Sequence, residues 1–210
     1  MDPYRKSTIS DEAARPPSDE RALGSSCAIV RAPADGPAFL SALLGAWPDL
    51  EVLQDTKVSD IRELRRAFVE APVTGLVLTV VGLATWHGET LCIDPSRSWW
   101  SEGAMMARLS ATLGRVVCAI VDVPFAAFGV RWFERGTAVR KVLIANGHFE
   151  LEGPTVQDEV GFDIGKLDAA TARAVARLPD ELLLEHMEPV RVILLRDHAA
   201  ESLLGAASSR

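Results

Sequence analysis

The sequence lacks the basic excess and the long apolar runs that mark two large classes of protein. Its 22 Lys and Arg residues are outnumbered by 29 Asp and Glu residues, so the formal net charge is −7. Nucleic acid is therefore not expected as a partner, because few cations are available to neutralise phosphates. The longest apolar run, Gly75 to Trp86, is too short to span a bilayer, so no membrane partner is expected.

Cysteine is also scarce. The sequence has three cysteines, an odd number, which are widely spaced and embedded in apolar runs: Cys27, Cys92 and Cys118. This pattern favours buried, reduced thiols over a disulfide framework, with a catalytic thiol as the alternative. The first residues do not show the charged-then-apolar pattern of a signal peptide. A cytoplasmic protein is the resulting prediction.

Catalytic signatures are absent as well. The sequence contains no GxSxG, HExxH, P-loop or GxGxxG motif. No catalytic residue, metal site or cofactor is therefore predicted. An enzyme remains an alternative if distant residues, namely His87, His148 and the acidic stretch described below, assemble into one site.

The composition is that of a globular protein, with 48% hydrophobic and 24% charged residues. Residues 1–25 are polar and contain Pro16-Pro17, which predicts a disordered leader. Residues 26–200 are expected to form a single α+β domain, with halves 26–98 and 99–200 as an alternative. Residues 201–210 are expected to fray.

The stretch from Ser101 to Ile144 organises the predicted fold. A helix is expected to begin after Ser101 and to end at Gly114. Val116 to Val123 is β-branched and apolar, which predicts a strand buried on both faces. Further strands flank Arg135-Gly136, a two-residue turn with glycine second, which is typical of a hairpin.

A similar order of a helix and then a hairpin precedes the stretch from Ser101 to Ile144. There, a helix is predicted after Asp60, and a hairpin around His87-Gly88 follows it. The fold class predicted is α+β, a mainly antiparallel sheet with helices packed on it. Two similar helix-plus-hairpin units, Ser59 to Asp94 and Ser101 to Ile144, are a further hypothesis.

Other elements are predicted outside these units. Strands are expected at Cys27 to Val30, Leu50 to Leu53 and Val190 to Leu195. Helices are expected after Asp35 and after Asp168, since each can cap a helix N-terminus.

The last third is strongly acidic. Positions 150–188 contain ten Asp and Glu residues but only three Lys and Arg residues, which are Lys166, Arg173 and Arg177. From this stretch we predict a binding face for a protein partner that includes Glu150, Glu152, Asp158 and Glu159, and an acidic face suits a basic partner. His148, Glu150 and Glu152 alternate with apolar residues, so on a strand they would share one face. We interpret that pattern as a polar edge, with a metal site as the alternative.

Trp99-Trp100 and the neighbouring Arg97 form a second candidate contact. Tryptophan is favoured at the centres of interfaces, and an arginine can stack on an indole ring. The alternative is that both rings cover the ends of the sheet.

These features favour a small acidic protein-binding or inhibitory module. It is similar in physical character alone to immunity proteins that neutralise bacterial toxins. The enzyme and a structural subunit of an oligomer are the alternatives.

Overall fold

The computed structural model describes residues 26–58, 66, 78–96, 99, 102–179 and 190–199. Within these ranges, three helices are α1 (Gly36–Ala46), α2 (Gly103–Leu113) and α3 (Ala169–Val175). The strands of the same ranges are β1 (Ser26–Ala32), β2 (Leu50–Val58), β3 (Leu78–Trp86), β4 (Glu89–Asp94), β5 (Arg115–Asp122), β6 (Ala127–Glu134), β7 (Thr137–Ala145), β8 (His148–Glu152) and β9 (Val190–Asp197).

All of these strands belong to one sheet, in the order β2-β9-β3-β4-β1-β5-β6-β7-β8. Each recorded pairing is antiparallel. The predicted α+β class with a mainly antiparallel sheet is confirmed. β1 lies between β4 and β5, and β9 lies between β2 and β3, so strands from both ends of the chain interleave in the sheet.

The first sheet face, which we call the α1–α2 face, is covered by helices α1 and α2. The side chain of Asp35 accepts a hydrogen bond from Ala38 N, which caps α1 as predicted. Helix α2 ends at Gly114, whose φ of 83° suits glycine. Both helices turn apolar side chains onto the sheet, and the larger of these are Phe39, Leu43, Met105, Met106 and Leu109.

The second sheet face, which we call the α3 face, is covered by the segment that follows β8. Its core holds Ile29, Val117 and Trp132 from the sheet and Val175 from helix α3. Asp168 caps α3 by accepting a hydrogen bond from Thr171 N, as predicted. The helix ends at Val175, and Arg177, two residues later, has a left-handed φ of 54°.

Hairpin turns set the register of the sheet. His87-Gly88, Arg135-Gly136 and Asn146-Gly147 each have positive φ at both residues, as mirror-image two-residue hairpin turns require. The first two turns were predicted from the glycine in second position. The Asn146-Gly147 turn was not predicted, although it carries the strongest turn dipeptide of the three.

Several predictions concern parts of the chain outside the described residues. They include the leader, the frayed tail, the Ser101 cap and the helix of the first helix-plus-hairpin unit. The similarity of the two units therefore stays a prediction. No helix among the described residues has the length and apolar character needed to cross a membrane.

Candidate functional site

Trp99 lies inside the protein. Its side chain packs among the residues of the α1–α2 face and is 2% exposed. Its backbone N–H donates to Asp94 Oδ2 at 3.0 Å, and Asp94 is itself buried. The predicted surface contact by Trp99 does not fit this placement, because the ring fills core space. Trp100 and Arg97 lie outside the described residues.

Asp158 is also buried. Its Oδ2 accepts hydrogen bonds from Arg115 Nη2 at 2.5 Å and from Trp132 Nε1 at 3.1 Å. Arg177 Nη2 lies 2.8 Å from Oδ1. A carboxylate held in this way connects the segment after β8 to strands β5 and β6.

Glu159 is paired with Arg140 of β7. Arg140 Nε and Nη2 donate to the two carboxylate oxygens at 2.7 and 2.8 Å. Arg140 Nη1 also donates to the carbonyl of Gly153 at 2.6 Å. This bidentate pair is the stronger type of charge-assisted contact, and it lies in the protein interior.

More of the residues in the acidic stretch stabilise the fold than the sequence predicted. Asp158 and Glu159 are corrected from surface residues to buried anchors. Asp168 caps α3, and Asp163 pairs with Lys166 at 3.2 Å. Sequence composition reports charge and not burial, so the burial of Asp158 and Glu159 escaped the prediction.

Glu150 and Glu152 are the predicted binding residues that the structure leaves on the surface. They lie on β8 together with His148, on the same side of the strand, as the alternation predicted. Lys141 of β7 lies between them, with Nζ 2.5 Å from Glu150 Oε2 and 3.2 Å from Glu152 Oε1. The hydrogen bond between Lys141 and Glu150 raises the pKa of the lysine and lowers the pKa of the glutamate.

Strand β8 is exposed on both of its faces. All five of its residues are exposed, including Phe149 at 43% and Leu151 at 49% on the α3 face. Its inner edge pairs with β7, and no described strand pairs with its outer edge. The strand therefore presents two large apolar side chains and an open backbone edge together.

The turn fixes which backbone groups point outward. Ala145 and His148 flank the Asn146-Gly147 turn, so they form a hydrogen-bonded pair. By alternation, Glu150 and Glu152 also bond to β7. The N–H and C=O groups of Phe149 and Leu151 therefore point away from the sheet.

The opposite edge of the sheet differs. Strand β2 contains a register shift between Val52 and Gln54. A bulge of this kind twists an edge and hinders the addition of another strand. The β7–β8 pairing shows no such shift. The β8 edge is thus the less protected of the two.

The structure does not bring the predicted histidines together. His87 lies in the β3–β4 turn and contacts Trp86 edge-on, whereas His148 lies in the β7–β8 hairpin at the opposite end of the strands. Five strands separate β3 from β8.

Two cavities are lined by described residues, and neither lining contains a histidine. One, of about 350 Å³, has Lys57, Thr85 and Arg191 as its polar lining and contains no histidine or carboxylate. A smaller one, of about 190 Å³, lies beside Lys141 and Glu152 at the end of β8. Among the described residues no three His, Cys, Asp or Glu side chains are grouped as metal ligands.

All three thiols are buried and none is joined in a disulfide, as predicted. Burial raises the pKa of Cys118 to about 12, and it also raises that of Cys92 well above its ordinary value. Neither thiol has the lowered pKa of a nucleophilic cysteine.

Phe149, Leu151 and Lys141 are the site residues that sequence reasoning did not select. The Asn146-Gly147 dipeptide was the signal for the hairpin that places them.

Comparisons with protein-family models, with curated proteins and with solved structures gave no match for this chain.

Proposed function

We propose that this protein is a protein-binding module that pairs the outer edge of β8 with an extended polypeptide segment. The observation that carries the proposal is the outward direction of the Phe149 and Leu151 backbone groups on a strand exposed on both faces. Open edges template the addition of a further strand, and the main-chain hydrogen bonds formed there supply affinity.

Side chains on the two faces of β8 give this edge its selectivity. A segment that pairs with it places alternate residues against Phe149 and Leu151 on one face. Its other residues meet His148, Glu150 and Glu152. The preferred partner is an extended segment that alternates apolar with polar residues.

The inhibitory, immunity-like role and a basic partner belong to the same proposal. They are supported by the acidic character of the chain and by the exposed Glu150 and Glu152. This support is limited by Lys141, which already neutralises one of the two charges. A cytoplasmic location is part of the proposal, and it is supported by three cysteines that form no disulfide.

A synthetic peptide of alternating lysine and valine, labelled with a fluorophore, tests the proposal. Its binding is measured by fluorescence anisotropy against the natural protein, Leu151→Pro and Leu151→Ala. Leu151→Pro removes an outward N–H at an edge position where proline is tolerated, and Leu151→Ala keeps that N–H.

We expect saturable binding to the natural protein and to Leu151→Ala, with loss in Leu151→Pro. Equal affinity of all three proteins for the peptide would place its site elsewhere and would contradict the proposal.

A further inference from the structure

Building on the proposed function, we propose that the segment that pairs with β8 is β8 of a second copy of this chain. The two strands run antiparallel about a two-fold axis at Glu150. The two sheets thereby become one continuous sheet across the interface.

The backbone of β8 is self-complementary in this register. Phe149 lies opposite Leu151 of the second copy, and Leu151 lies opposite Phe149 of the second copy. These are the residues whose N–H and C=O groups point outward, so each opposed pair exchanges both of its hydrogen bonds. The strand needs no distortion to form them, since its pairing with β7 is regular.

The side chains are complementary as well. On the α3 face, each exposed Phe149 meets an exposed Leu151. On the α1–α2 face, each His148 lies opposite Glu152 of the second copy, which pairs a ring N–H donor with a carboxylate. Glu150 lies opposite its own counterpart, and each copy's Lys141 binds its own Glu150.

Other two-fold registers fit less well. A register centred on Leu151 places Glu150 opposite Glu152 in both directions, which opposes like charges twice. A register centred on Phe149 places Leu151 opposite Gly147, which has a φ of 74° in the turn and is not extended. The register centred on Glu150 opposes like charges only once, at Glu150 itself, where each copy's Lys141 binds the carboxylate, and it keeps all of its opposed residues on β8.

A second copy also fits the charges better than a strongly basic segment does. In the acidic stretch, Asp158 is paired with Arg115 and Glu159 is paired with Arg140. On the surface of β8, Lys141 offsets much of the remaining charge. A strand of five residues is small, so we expect association of the transient class that buries less than about 1,200 Å².

Sedimentation equilibrium of the full chain over a wide concentration range tests the inference. We expect the weight-average mass to rise from one chain towards two chains as concentration increases. Leu151→Pro should remain a monomer throughout, whereas Leu151→Ala should still associate because its N–H is intact.

Variants that change the charges on β8 test the register of the two paired strands directly. Glu150→Gln removes the like charges that face each other at the axis, so it should tighten self-association by about two- to fivefold. The same variant should weaken binding of the lysine–valine peptide. A foreign basic partner would show only that weakening.

An exchange of charges tests whether His148 lies opposite Glu152 of the second copy. His148→Glu and Glu152→Lys should each weaken self-association, and their combination in one chain should restore it. A defect in folding would not be repaired by adding the second substitution.

The outcomes separate the inference from the proposed function. A chain that stays monomeric but binds the lysine–valine peptide overturns the second copy and leaves the strand-binding edge standing. A monomer that binds no peptide overturns both. Self-association that Leu151→Pro and Glu150→Gln leave unchanged uses another surface and overturns the inference.

Discussion

Arg140 holds Glu159 through both of its carboxylate oxygens, with donor–acceptor distances of 2.7 and 2.8 Å, although the two residues are buried. The same guanidinium donates to the Gly153 carbonyl at the end of β8. One side chain therefore connects β7, the end of the candidate binding strand and the segment that covers the α3 face.

Loss of this connection should be costly. Arg140→Ala leaves Glu159 buried without its partner, and we expect a loss of about 3–5 kcal/mol in the free energy of unfolding. Urea unfolding followed by circular dichroism measures the change. The neighbouring Lys141→Ala is the matched control and should leave stability almost unchanged, because its ion pairs are exposed.

A double substitution, Arg140→Met with Glu159→Leu, distinguishes the uncompensated charge from a general packing defect. We expect it to recover most of the stability that Arg140→Ala loses, because apolar pairs often replace buried ion pairs at little cost. A double variant as unstable as Arg140→Ala would show that the pair itself supplies the stability.

Gly153 is required at the end of β8 for steric reasons. A Cβ added there would lie 2.1 Å from the Val139 carbonyl oxygen, and its φ of 77° is already unfavourable for other residues. Gly147 has a similar φ of 74° but no atom within 4 Å of an added Cβ.

We expect Gly147→Ala to cost about 1–2 kcal/mol through its backbone conformation alone. Gly153→Ala should cost about 1–3 kcal/mol more, since the Val139 backbone must move. Both values come from denaturant unfolding. Equal losses in the two variants would contradict the close approach of Gly153 to β7.

Cys118 should make the stability of the folded protein fall as the pH rises in the alkaline range. Burial raises its pKa to about 12 from an ordinary value of 9.0, so the unfolded chain loses this proton at a lower pH than the folded protein does. Between those values the unfolded state binds fewer protons, and stability must fall as pH rises.

The Cys118→Ala variant isolates this effect. Above pH 9 the natural protein should lose about 1.4 kcal/mol per pH unit more than Cys118→Ala does. Urea unfolding at a series of pH values measures both slopes. Parallel slopes would show that the thiol titrates alike in the folded and unfolded states.

Local signals in the sequence were enough to predict much of the fold. Asp35 and Asp168 cap helices because their side chains reach backbone N–H groups within one turn. Arg135-Gly136 forms a hairpin in which both residues have a positive φ, a conformation that Gly136 adopts without steric cost. These are interactions between residues close in the chain, and they depend little on the rest of the molecule.

The candidate site depended on long-range pairing and was predicted only in part. Alternation placed Glu150 and Glu152 on one side of a strand, as observed. The position of β8 at the end of the sheet depends on the pairing of all the other strands, which no local pattern encodes. The burial of Trp99 and Asp158 escaped prediction for the same reason, because their partners are set by the tertiary fold.

Amide hydrogen exchange in β8, measured residue by residue by NMR, tests most directly whether its outer edge is a binding edge. In dilute protein the amides of Glu150 and Glu152 should be protected by β7, whereas those of Phe149 and Leu151 should exchange rapidly. At high protein concentration, or with the lysine–valine peptide added, the Phe149 and Leu151 amides should become protected. Protection of those two amides at the lowest concentration would show that the chain covers its own edge, and rapid exchange under every condition would show that nothing pairs with it.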